Sequence, residues 1–166
     1  MRDVTKSKKD NLREAGKKSI FIKKDARYTK DEVESESVDL LVTSPPFLDV
    51  VQYSKDNWLR CWFNNIDIKK VEEKITTPKK LDEWKKIMGE AFKEFYRLIR
   101  YGGYVAFEVG EVRKGKIKLD EHVVPLGLDA GFDIIGIVIN LQEFTKTANI
   151  WGVDNNSFGT NTNRIV

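Results

Sequence analysis

Cysteine and histidine are almost missing from this chain, which has one of each, Cys61 and His122, among 166 residues. A single thiol excludes an internal disulfide, and one Cys with one His cannot assemble a Cys/His zinc site. No apolar stretch approaches the roughly 20 residues needed to span a bilayer. The basic N-terminus is not followed by an apolar signal core, so the expectation is a cytoplasmic protein with no membrane partner. Charge of one sign is not in great excess either. A net charge of +3 with a pI of about 8.8 permits nucleic-acid binding without demanding it. Proline is sparse, with four residues, yet two of them, Pro45 and Pro46, are adjacent.

What is present is the composition of a folded domain. Hydrophobic residues make up 40% and charged residues 33%, which suits one soluble globular domain with a core of ordinary size. Residues 1–18 read as a polar, basic tail, either a phosphate-contacting arm or a solvated end; residues 19–166 read as the domain. Ala15-Gly16-Lys17-Lys18-Ser19 lacks the leading glycine and the preceding strand of a phosphate-binding loop, so that reading is rejected.

The organising stretch is VDLLVTSPPF, Val38 to Phe47. Val38 to Val42 has the length and β-branched content of a buried strand. Pro45 and Pro46 cannot extend it, since each lacks an N–H and fixes φ near −65°. Ser44 and Pro45 each precede a proline and are pushed to extended conformations. The product is a stiff elbow at the carboxyl end of a strand, the edge at which open α/β sheets bind ligands. A plain strand-terminating turn is the competing reading.

Around this elbow the chain reads as alternating elements. Ser19 to Ile22 is a short strand candidate running into Asp25. Trp58, Leu59, Trp62 and Phe63 recur at helical spacing and are expected in the core. A helix beginning near Thr77-Pro78 carries Trp84, Ile87, Met88, Ala91, Phe92, Phe95, Leu98 and Ile99 on one stripe, and Gly102-Gly103 is expected to end it. Tyr104 to Val109 is a strand, Asp120 to Ala130 a helix closed by Gly131, and Phe132 to Asn140 an apolar strand. Arg164 to Val166 reads as a final strand, antiparallel to its predecessor at the sheet edge.

The elbow, together with SPPFLDVVQYSKDNWLRCWF and the Asn-rich segment before Arg164, resembles the amino-group DNA methyltransferases, whose motif IV reads Asp, Asn or Ser, then Pro-Pro, then an aromatic residue. The resemblance covers roughly Phe21 to Val166. It implies an α/β, Rossmann-like fold dependent on S-adenosylmethionine, and DNA as substrate. It further implies transfer of a methyl group to the exocyclic amine of a flipped base, with Ser44 favouring cytosine N4 over adenine N6. Ser44 Oγ and the Pro45 carbonyl would accept the amine hydrogens, Pro46 would stiffen the elbow, and Phe47 would stack on the base. Asp25, Thr43 and Gly110 are the implied cofactor-site residues. Tyr53, Lys55, Arg113, Lys114, Lys116 and Lys146 are the candidates for nucleic-acid contacts, and for Arg113, Lys114 and Lys116 a solvated turn is the competing reading. One departure matters: the family holds the methionine part of its cofactor with a Phe-x-Gly-x-Gly loop, and no Gly-x-Gly occurs in this sequence. The expected fold is therefore incomplete, without the first strands and glycine loop. Two alternatives follow: half of a split enzyme, with a second chain or a homodimer completing it, or a silent nucleic-acid-binding or assembly subunit.

Overall fold

The computed structural model describes residues 6–46, 48, 57–73, 75, 78–112, 116–143 and 160–166. Helix α1 (Lys6–Lys17) is followed by strand β1 (Val38–Thr43) and two short helices, α2 (Trp58–Phe63) and α3 (Ile68–Glu72). Next come the long helix α4 (Leu81–Leu98), strands β2 (Ile99–Val112) and β3 (Ile117–Lys118), helix α5 (Asp120–Ala130), and strands β4 (Val138–Glu143) and β5 (Thr160–Ile165). The open sheet runs β1-β2-β5-β4, with β3 paired antiparallel to the far end of β2. β1 and β2 are parallel, joined by a crossover that contains α4, while β5 runs antiparallel to both β2 and β4. This is the α/β open sheet that the alternation of elements predicts.

The core lies between α4, α5 and one face of the sheet. The apolar stripe of α4 buries Trp84, Met88, Ala91, Phe92, Phe95 and Leu98, as its period requires. Asp82 and Glu83 in its first turn and Arg97 in its last complement the helix dipole. Phe92 meets Phe107 of β2 with ring centroids 4.8 Å apart, and Val109, Val112, Leu119 and Val123 close the cluster. Each such side chain contributes roughly 1.5–3 kcal/mol on burial. Helix α5 ends where expected, at Gly131, whose φ of 109° only glycine adopts freely.

Several elements depart from the sequence-based expectation. Gly102-Gly103 does not end α4: the helix stops at Leu98, because Ile99 is already extended and begins β2. The two glycines instead form a bulge. Between Val38↔Ile99 and Leu40↔Tyr104, three extra residues of β2 are accommodated, with Gly102 at φ 77°. A Cβ on Gly103 would lie 2.9 Å from the Asp39 carbonyl oxygen, so glycine here permits close strand approach.

The run from Phe132 does not form a strand until Val138. Phe132 plugs the core instead, edge-on to Tyr96 and Phe92 at 5.2 and 6.2 Å. The last strand begins earlier than expected, at Thr160, but it forms the expected antiparallel pair with β4 at the edge of the sheet. Ser19 to Ile22 forms no strand; Ile20 and Phe21 face solvent, with no strand beside them among the described residues. Trp58, Leu59, Trp62 and Phe63 are exposed, and α2 buries only Cys61. Helical spacing selects a face but cannot say what covers it. Among the described residues no helix is long and apolar enough to cross a membrane.

Candidate active site

The elbow leaves β1 at its carboxyl end and forms one wall of an open cleft of about 660 Å³. Thr43, Ser44, Pro45 and Pro46 line it together with Lys23 to Arg27, while Ile87, Met88, Ala91 and Phe95 of α4 and Phe107 of β2 supply an apolar floor. Five residues singled out from sequence (Asp25, Thr43, Ser44, Pro45 and Pro46) thus meet in one place, although 17 residues separate Asp25 from Thr43. The volume suits a small organic ligand. Ser44 is exposed, and its hydroxyl has no hydrogen-bond partner among the described residues, whereas Pro45 is buried. Phe47 lies outside the described residues, as do Tyr53, Lys55, Arg113, Lys114 and Lys146.

Asp25 is held by a residue that sequence reasoning passed over. Arg27 Nε donates to Asp25 Oδ1 at 3.0 Å and Nη2 to Oδ2 at 2.8 Å, and the Arg27 backbone N–H also donates to Oδ1. Nη1 of the same guanidinium reaches Glu90 Oε2 on α4 at 2.9 Å. Those Arg27 hydrogen bonds hold the Asp25 carboxyl below its ordinary value, against a smaller opposing effect of partial burial. A carboxylate offers about four acceptor positions. Three are used here, so Oδ2 retains one for a ligand.

A second tie lies one turn further along α4. Glu94 Oε1 accepts from the Thr29 hydroxyl at 2.6 Å and the Thr29 N–H at 3.0 Å. Arg97 donates to both Glu94 oxygens and, through Nη1, to the Val33 carbonyl and Ser35 Oγ. Arg97, and after it Thr29, hold the Glu94 carboxyl down to about 2. The segment carrying Asp25 is therefore clasped to α4 by Arg27–Glu90 and Thr29–Glu94–Arg97. No periodic or motif signal marks these ties, since each joins the segment to a helix more than 60 positions away.

Gly110 is not in the cleft. It sits within β2 opposite Asn163, and its carbonyl accepts from the Leu119 N–H. Lys116 is exposed in the turn between β2 and β3. Because β1 and β2 are parallel, that turn and the elbow lie toward the same edge of the sheet. β2 runs five residues past the Thr43↔Phe107 pair, about 16 Å at strand rise. Among the described residues no group of His, Cys, Asp or Glu is placed to hold a metal ion.

No protein-family model matches the chain, and no curated protein matches it in sequence. Solved structures that resemble it include those of a candidate DNA modification methylase from Thermus thermophilus. Its selenomethionine derivative gives a TM-score of 0.47 at 19% identity, covering 85% of this chain and 49% of that one. A structure of the same protein complexed with S-adenosyl-L-methionine gives 0.47 at 17% identity, with coverages of 85% and 52%. A third gives 0.44 at 18%, with 86% and 50%. The chain spans about half the length of these structures.

Proposed function

We propose that this chain carries the substrate-amine site of a DNA methyltransferase acting on an exocyclic amine, with cytosine N4 favoured over adenine N6. The observation that carries the reading is the convergence of Ser44-Pro45-Pro46 with Asp25 in one cleft at the carboxyl end of a parallel strand. The exocyclic amine of a nucleobase is a poor nucleophile because its lone pair is delocalised into the ring. Two acceptors that take both amine hydrogens favour a pyramidal nitrogen with its lone pair free. Ser44 Oγ is exposed and unpartnered among the described residues, so it can accept one hydrogen, and the Pro45 carbonyl is the second acceptor. The two prolines keep this pair from reorganising, so catalysis rests on preorganised positioning.

S-adenosylmethionine, when bound, supplies the electrophilic methyl group. The residues present fit its adenosyl end. Met88, Ala91 and Phe95 offer an apolar surface, and Asp25 Oδ2 keeps one acceptor position beside it. For the methionine end the sequence has no Gly-x-Gly. That single observation favours a second reading, in which a further chain or second copy completes the site, or in which this chain binds nucleic acid without turnover. Lys116 is a phosphate contact on the first reading.

The test is calorimetric titration with S-adenosylmethionine and S-adenosylhomocysteine, followed by transfer of labelled methyl to DNA and chromatography of the digested nucleosides. The expected result is cofactor binding that Ser44→Ala leaves intact and methyl transfer that it abolishes. Cofactor binding without transfer to any DNA, in the chain alone and with its completing partner, supports the silent-subunit reading. Transfer that survives Ser44→Ala overturns the assignment of Ser44.

A further inference from the structure

The elbow does not hold itself. Neither Pro45 nor Pro46 has an N–H, so at these residues the backbone offers only acceptors. The Pro46 carbonyl finds its donor on another element, 38 positions away in sequence. Trp84 Nε1, in the first turn of α4, donates to it at 3.0 Å. Trp84 is fully buried, and an indole N–H is a donor with no acceptor function, so it needs a partner when it leaves water. Among the described residues the Trp84 Nε1–H and the Pro46 carbonyl are each other's only hydrogen-bond partners.

Resting on the reading of the elbow as the substrate-amine site, we propose that Trp84 is a positioning residue for that site. It acts through Pro46 and touches no substrate, since it does not line the cleft. Its effect has two parts. The bond ties the elbow to the core helix whose other residues form the cleft floor, so acceptor and floor move as one body. It also turns the Pro46 carbonyl toward the buried indole. That leaves the Pro45 carbonyl and Ser44 Oγ as the acceptor pair on which the proposed function rests. A Phe at position 84 would fill much of the same space, so packing alone does not require tryptophan.

The test separates the hydrogen bond from the packing. Trp84 is replaced by β-(3-benzothienyl)alanine, a tryptophan isostere with sulfur in place of the N–H, and in parallel by Phe. In the wild type, the Trp84 indole proton should exchange with solvent at least ~100-fold more slowly than those of exposed Trp58 and Trp62. In the isostere, amide exchange at Thr43 and Ser44 should accelerate about tenfold while α5 amides are unchanged. The kcat for methyl transfer should fall about tenfold at constant KM for the cofactor. Unchanged exchange at Thr43 and Ser44, or an indole proton as labile as those of Trp58 and Trp62, overturns the proposal. Faster elbow exchange in a chain that transfers no methyl, alone or completed, leaves the lock standing and defeats the functional reading beneath it.

Discussion

Acid should loosen the cleft through one carboxylate. Glu94 is largely buried, with 11% of its side chain exposed, and Arg97 and Thr29 hold its carboxyl at about 2 against an ordinary 4.5. That difference corresponds to a ceiling of about 3 kcal/mol in favour of the folded, charged state. Solvent screening near the loop's rim trims it to about 2 kcal/mol. Because the folded value is depressed, the contribution is present in full above pH 4.5 and disappears as pH falls toward 2. Glu94→Gln keeps the shape and removes the charge. At pH 7 the variant should be about 2 kcal/mol less stable than wild type, a shift of about 1 M in the urea midpoint. At pH 3 the gap should shrink to less than half. Affinity for a cleft ligand should fall with it, since the clasp positions the segment that carries Asp25. Urea titrations at pH 7, 5 and 3 measure the gap directly. A gap that stays constant from pH 7 to 3 would refute the reasoning, because a pH-independent loss comes from packing or the neutral hydrogen bond.

Two glycines should respond in opposite directions to alanine. Gly103→Ala drives a Cβ to 2.9 Å from the Asp39 backbone oxygen and should cost about 2–3 kcal/mol, read as a fall of several degrees in Tm. Gly89→Ala, inside α4, meets only a Leu126 methyl at 3.5 Å and should stabilise by about 0.5–1 kcal/mol. Arg164 is buried on β5 between Glu111 of β2, at 2.5 Å, and Asp120 of α5, at 3.3 Å. Arg164→Met strands the buried Asp120 carboxylate and should cost about 3–5 kcal/mol, with partial recovery in Arg164→Met/Asp120→Asn; urea unfolding of both variants checks this.

Local rules carried a large part of this protein. The period of Trp84, Met88, Ala91, Phe95 and Leu98 specified a helix with one buried stripe, because 3.6-residue repetition is a property of the chain itself. Pro45-Pro46 after an apolar strand specified a rigid elbow, because proline geometry is covalent. Gly131 specified a helix end for the same kind of reason. The resemblance implies a cofactor-site role for Asp25, and the fold brings Asp25 to the same cleft as Ser44, a meeting that only the tertiary structure shows.

What the sequence left open depends on which distant residues meet. Gly103 needs no side chain because the Asp39 carbonyl lies against it, and Asp39 is 64 residues earlier. Of the apolar run from Phe132, only Phe132 itself packs on the core, beside Tyr96 and Phe92, while Ile135 and Ile137 stay exposed. The exposed face of Trp58 and Trp62 has the same period as a buried one, so only tertiary packing tells them apart. The ties that build the cleft (Arg27 to Glu90, Thr29 to Glu94, Trp84 to Pro46) are single polar contacts between elements. Propensity and period describe a residue's near neighbours along the chain, whereas a hydrogen bond across 38 or 65 positions exists only once the sheet and α4 have packed and set its donor and acceptor within about 3 Å.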